Sequence, residues 1–266
     1  LKKDLLRLQD LQMVWGLHTS TITPSLILTM LEGNLAVRAG PLLSLMQLAD
    51  SALPIGRHAH AFGLERMLRD KRVTTPDALR EMIVSALIHG SARADGAGTA
   101  LAHTAFVDRN LEDLKAVDAR LDLLKLTAPA QVASRRCGSR LAVLAPSLHA
   151  DPMLAEYATA VAGKVTPGHL AVISGALAAA MGVSRENAVL AELRGVATMI
   201  LSAAVRLDVL SATAAQGMMV ALSTQIIAAA EIALVTRPDE MEGGAAVGLD
   251  IAAMRHAREH GRLFAT

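Results

Sequence analysis

Nine histidines and one cysteine are the side chains best suited to metal ligation or nucleophilic chemistry here. His58 and His60 are separated by one residue, whereas sharing a helix face needs a spacing of three or four. They read as two imidazoles on a loop and as weak metal candidates. His256 and His260 do stand four apart, a spacing that suits a weak metal site on a helix surface. Arg255, Arg258 and Arg262 surround them and repel a cation, so solvated or interface histidines are the expected role. No HExxH or GxSxG run is present. Cys137 follows Arg135 and Arg136 on a predicted helix, where guanidinium groups favour a thiolate. No histidine is placed to assist it, and a buried inert thiol is expected. Gly96 and Gly98 lack both the preceding strand and the following lysine of a phosphate loop. The expectation is a chain with no catalytic residues and no metal or cofactor of its own.

Composition narrows the scaffold that must hold these groups. Hydrophobic residues make up 52 % of the 266, but aromatics only 2 %. The core must therefore be built from Leu, Ala, Val, Ile and Met, which favours closely packed helices over sheets. Twenty-six basic and 25 acidic side chains give a net charge of +1, without the basic footprint of a nucleic-acid binder. A single cysteine excludes an internal disulfide framework and fits a reducing compartment such as the cytoplasm. Mean hydropathy is high, at +0.38. The most apolar runs, 170–183 and 196–205, fall short of the roughly 20 apolar residues a membrane span requires. A helical protein with a large buried surface, and apolar patches covered by a second copy or by partners, is expected instead.

Residues 1–40 differ from the rest. An amphipathic opening with Leu5, Leu8, Leu11 and Val14 on one face is broken by HTSTITPS, and Met30 offers an alternative start. A loosely ordered extension is expected there, followed by one all-helical domain over 41–266. Its first helix runs from Pro41 to Ala49, burying Leu42, Leu45, Met46 and Ala49, and a short helix covers Ala59 to Arg69. Thr75-Pro76-Asp77 combines an N-cap, a proline at N1 and an acid in the first turn, opening a helix that Gly90 closes. Asn110 caps the next, with Leu111, Leu114, Val117, Leu121 and Leu124 inward. Ala130–Leu144 carries Arg135, Arg136 and Arg140 on a solvated or partner-binding face. Further helices start at Asp151-Pro152, ending at Gly163, and at Thr166-Pro167-Gly168-His169, ending at Gly182. The last two run from Ser184 to about Leu210 and over 212–235, the latter stopped by Pro238. A Gly243–Gly244 break then leads into a basic tail. No strand-like alternation, repeat or long linker appears.

The stretch Asp50–Glu65, DSALPIGRHAHAFGLE, is shaped by Pro54 and Gly56 into a loop or broken helix. It resembles the proline–glycine–phenylalanine–serine–histidine–serine and glycine–leucine–glutamate signature of the UreF family of urease accessory proteins. Pro54, Gly56, His60, Gly63, Leu64 and Glu65 match, while His58, Ala59 and Ala61 replace the Phe and two Ser. The resemblance continues through His89-Gly90 with Ala92–Gly96, Asp118-x-Arg120-Leu121, Ala133–Gly138, and Gly168-His169 with Gly175 and Gly182. Ala203–Leu207 is similar to the end of the family's long helix, and Met254-Arg255-His256 with Arg262-Leu263-Phe264 to its tail. Each block is weak alone, but their order and spacing together are specific. The family's proline–leucine–glycine–glutamine turn is replaced by Val209, Leu210, Ser211 and Ala212. Ala215 stands where a glycine is usual and Gln216 is kept, so a smoother helix boundary is expected there. In the tail, Ala257, His260, Gly261, Ala265 and Thr266 also depart from the pattern.

The resemblance implies a non-enzymatic, all-α, dimeric protein. It would bind the scaffold accessory protein UreD (or UreH) and with it recruit the nickel-carrying GTPase UreG to apo-urease. Nickel and GTP would then belong to the partners. Partner contacts are implied at Pro54, Gly56, His60, Glu65, Arg206 and Gln216, and in the tail at Arg255, His256, Arg262, Leu263 and Phe264. The tail, from about 239, is expected to act as a docking element outside the core, movable about Gly243–Gly244. Two other readings stand beside this one. One is an enzyme using Arg57, His58 and His60 in a helix-lined pocket. The other is a diverged paralog that keeps the fold without serving urease.

Overall fold

The computed structural model describes residues 39–243, 246–259 and 263–264. Expectations for residues 1–38, for the Gly244 half of the glycine break, and for His260 and Arg262 lie outside the described residues.

Several of the helices begin where a side-chain oxygen accepts the free amides of the first turn. After α1 (Ala39–Leu48), the loop passes through one 3₁₀ turn, Arg57–Ala59, into α2 (Leu64–Arg69). Thr75 caps α3 (Pro76–Ser85) through Ala78 N, with Pro76 in the first turn. A π-helical stretch, Ala86–Gly96, leads directly into α4 (Ala97–Val107). Asn110 caps α5 (Leu111–Leu124), Thr127 caps α6 (Ala128–Leu148) and Asp151 caps α7 (Pro152–Ala162). α8 is Leu170–Ala180, and Ser184 caps α9 (Arg185–Arg206). Ser211 caps α10 (Ala212–Ala221), which continues into α11 (Ser223–Val235), and α12 spans Val247–His256. No strand occurs among the described residues, and the all-α expectation holds.

Small residues set the spacing of the core. α4 and α8 form the most extensive helix pair. A Cβ on Gly175 would stand 2.3 Å from Thr99 O, so only glycine permits that approach. Thr99 Oγ1 closes the crossing by donating to Asp95 O (2.9 Å) and Ala171 O (3.1 Å). One apolar cluster collects α2, α3, the inner faces of α9 to α11 and Phe264, and a second collects α4 to α8. α9 packs on the π-helical stretch, α4, α8 and α11. At 22 residues it is long and apolar enough to cross a membrane, but 61 % of its apolar window is buried inside the bundle. Its hydropathy is thus accounted for by the core it occupies.

Several expectations need correction. Gly90 does not close the third helix, because helical backbone continues through Gly96 into α4. Burial against α9 and α11 outweighs the low helix propensity of glycine there, and a Cβ on Gly96 would lie 2.8 Å from that of Ala233. The single helix expected over 212–235 is a pair bent by 51° about the buried Leu222. On α1, Leu42, Met46 and Ala49 are exposed, while Leu45 and Leu48 pack on Ala178, Val183 and Ala188. The boundary after α9 is sharp, not smooth. Asp208 takes φ +58° and Ser211 restarts the helix, doing without proline or glycine what those residues usually do.

Candidate functional site

The loop expected to carry function is shaped by two left-handed glycines, Gly56 (φ +79°) and Gly63 (φ +78°). Both also sit under close neighbours. A Cβ on Gly56 would meet Arg140 Nη1 at 2.5 Å, and one on Gly63 would meet Leu249 O at 3.0 Å and Ala253 N at 3.2 Å. The start of α2 is therefore pressed against α12. Just before Gly56, Ile55 is buried and anchors the loop, while Pro54 is exposed at its surface.

Arg57 is locked rather than free. It donates through Nη1 to Glu192 Oε2 (3.0 Å) and through Nη2 to Glu192 Oε1 (2.7 Å) and Glu192 O (2.9 Å). Gly195 makes room for the guanidinium, since a Cβ there would lie 2.6 Å from Arg57 Cζ. His58 and His60 diverge. His58 borders a groove with Arg194, Arg206 and Gln216, whereas His60 borders a cavity with Phe62 and Asp250. Burial lowers the pKa of both, followed by Arg57 and Arg206 at His58, and by Arg136 and Arg140 at His60. The two imidazoles are not brought together on one substrate or ion. Among the described residues no cluster of three metal-ligating side chains occurs.

What converges instead is a junction of loop, α9 and the C-terminal segment. The buried Glu65 accepts backbone N–H groups from Leu263 (3.3 Å) and Phe264 (3.2 Å), and Arg69 Nη2 donates to it at 2.7 Å. His256 is fully buried, with Nε2 3.2 Å from Phe264 O and 3.5 Å from Glu65 Oε2. Arg206 lies over the Phe264 ring, 4.3 Å from its centroid, and donates to His58 O. Glu259 ties Arg66 and Arg69 into the same junction. The expectation that the tail lies outside the core is corrected for its described part. Phe264 belongs to the core cluster because Glu65 satisfies the amides on which its burial depends. Leu263, by contrast, is 64 % exposed.

The sequence reading missed the outer face of α12. Leu249, Ala252, Ala253 and His256 face the bundle, yet Val247, Ile251 and Met254 are also exposed, at i, i+4 and i+7. A helix apolar on two faces is the signal that could have revealed it. Arg255 flanks this stripe and lies 3.7 Å from Asp70. Glu192 was missed too, although a lone acid within an apolar helix needs a partner. A third omission is the fully buried Asp118, which accepts from Thr166 Oγ1 (2.6 Å), Gly168 N (2.6 Å) and His169 N (2.8 Å) and so opens α8. Of the arginines expected on one face of α6, Arg135 pairs with Asp122, while Arg136 and Arg140 are exposed.

Comparison with known proteins places these features in a family context. A family model for UreF matches residues 73–223. Urease accessory protein UreF of Actinobacillus pleuropneumoniae is 29 % identical over 226 residues, which is 85 % of this chain and 99 % of that protein. The protein of the same description from a Bacillus species is 29 % identical over 84 % of this chain and 98 % of its own length. That of Haemophilus influenzae is 29 % identical over 83 % and 94 %.

Proposed function

The chain belongs to the UreF family of urease accessory proteins, and we propose that it works as a non-enzymatic adaptor in urease maturation. In this reading it assembles as a homodimer with the scaffold accessory protein UreD (or UreH). The pair then recruits the nickel-carrying GTPase UreG to apo-urease in the cytoplasm. Nickel and GTP are handled by the partners, and this chain supplies the geometry that couples nucleotide turnover to metal delivery.

The observation that carries the reading is the double-sided α12. Its inner face is held by the loop and by Glu65, so its outer stripe of Val247, Ile251 and Met254, edged by Arg255, is presented in a fixed position. An apolar stripe with a charged rim is the composition of a protein-binding hot spot. Holding it on a packed helix reduces the ordering cost of binding.

Co-expression with the scaffold and the GTPase tests this. The double substitution Ile251→Asp/Met254→Asp changes only exposed positions, so helical content and the thermal transition are expected to stay near those of the parent. Co-purification of the scaffold is expected to fall at least tenfold and urease activation with it. A variant that still captures both partners and still activates urease would refute the docking role.

A further inference from the structure

The cavity bordered by His60 and Phe62, with room for about 100 Å³, lies between the loop, α6, α9 and α12. Its walls are largely apolar, contributed by Phe62, Leu170, Val196, Met199, Leu249 and Ala253. Five charged side chains border it, and four of them neutralise one another. Arg57 pairs with Glu192 at 2.7 Å, and Lys125 pairs with Asp95 at 2.8 Å. Asp250 is the remainder. Its half-buried carboxylate has no hydrogen-bond or ion-pair partner among the described residues, and burial raises its pKa despite the nearby Lys125. Burial and Arg136 and Arg140 hold His60 toward its neutral form, so it adds no compensating charge.

A carboxylate half-buried beside apolar walls without a partner is costly and calls for one. Asp250 is the one charge of the lining without an ion pair among the described residues, and Arg136 and Arg140, which act on His60, are exposed to solvent that screens them. We propose that this cavity is a binding site for a small organic cation: an ammonium group on a compact apolar body. The ammonium donates to the Asp250 carboxylate, and the body rests on Leu170, Val196 and Met199. Size limits the ligand: a cavity of about 150 Å³ holds benzene, and this one, at about 100 Å³, takes a body no larger than a five-membered ring or its branched equivalent. An inorganic ion is a poorer occupant. Hard divalent ions need several oxygen ligands in place of their water, and the walls supply mostly carbon. Lys125 does not repel the ligand strongly, because its charge is spent on both oxygens of Asp95.

The test uses the full chain and three ligands of similar shape: cyclopentylammonium, cyclopentanol and cyclopentanecarboxylate, each up to tens of millimolar. Cyclopentylammonium is expected to raise the thermal midpoint progressively, as binding to the folded state must. The alcohol is expected to act at least tenfold more weakly and the carboxylate not at all. Asp250→Asn removes an uncompensated, half-buried charge, so that variant should fold at least as stably as the parent and lose the ammonium response. Methyl resonances of Met199 in the parent chain give a second readout, shifting with cyclopentylammonium only. Equal responses to all three ligands, an undiminished response in Asp250→Asn, or no shift of Met199 would overturn the proposal. So would stabilisation by magnesium chloride at the same concentration that matched or exceeded the ammonium effect.

Discussion

Glu65 Oε2 accepts the backbone N–H of Phe264 at 3.2 Å, across 199 residues of sequence. The same carboxylate takes the N–H of Leu263, so one buried side chain fastens the end of the described chain to the start of α2. Glu65→Ala leaves those amides without an acceptor, at a cost of about 1–3 kcal/mol to the docking of the segment. Hydrogen exchange should accelerate at 263–264 and along α12, with far-UV circular dichroism unchanged. Unaltered protection of Phe264 would show that the clamp contributes nothing.

The Arg57–Glu192 pair invites a double-mutant cycle. Either single change, Arg57→Met or Glu192→Leu, strands a charge beside the core, and each should lower stability by about 3–5 kcal/mol. The double variant should recover most of that loss, because an apolar pair of similar volume needs no desolvation of charge. Denaturant titration of the four proteins measures the coupling. Additive losses would mean that the two side chains act independently.

Two glycines give opposite predictions. Gly175→Ala places a methyl 2.3 Å from Thr99 O and must spread α4 from α8, so a loss of about 1–3 kcal/mol or more is expected. A methyl added at Gly217, within α10, would meet nothing within 4 Å, and Gly217→Ala should gain about 0.5–1 kcal/mol from helix propensity. Thermal midpoints moving in the same direction would contradict the packing assigned to α4 and α8.

Acid sensitivity follows from the histidines. Burial is the first cause that lowers the pKa of His58, His60 and His169 from the ordinary 6.5. Between the folded values and 6.5 the unfolded chain binds more protons than the folded one, so stability rises with pH in that window. Their full contribution is present above 6.5 and is lost as the pH falls below it toward the folded values. His60→Asn should flatten part of this slope in denaturant midpoints measured from pH 7.5 to 5. A parent chain equally stable across that range would contradict the assignment.

Local chemistry along the chain was enough to place most helix starts. Thr75, Asn110, Asp151 and Ser184 each cap the helix they were expected to cap, because capping needs only a side-chain oxygen two or three residues from the amide it accepts. The all-α class was legible for a similar reason, since composition and 3.6-residue periodicity are properties of short windows. Family membership was legible because ordered blocks survive where single residues drift. The junction was not. Glu65 and Phe264 meet only when α2 lies against α12, and Arg57 finds Glu192 only when the loop folds onto α9. Gly90 likewise looked like a helix end until the packing of the π-helical stretch against α9 and α11 outweighed its propensity. Chain-local signals decide where helices begin; which side chains share a cavity or a carboxylate is decided by burial, a sum over distant parts of the chain that exists only in the folded state.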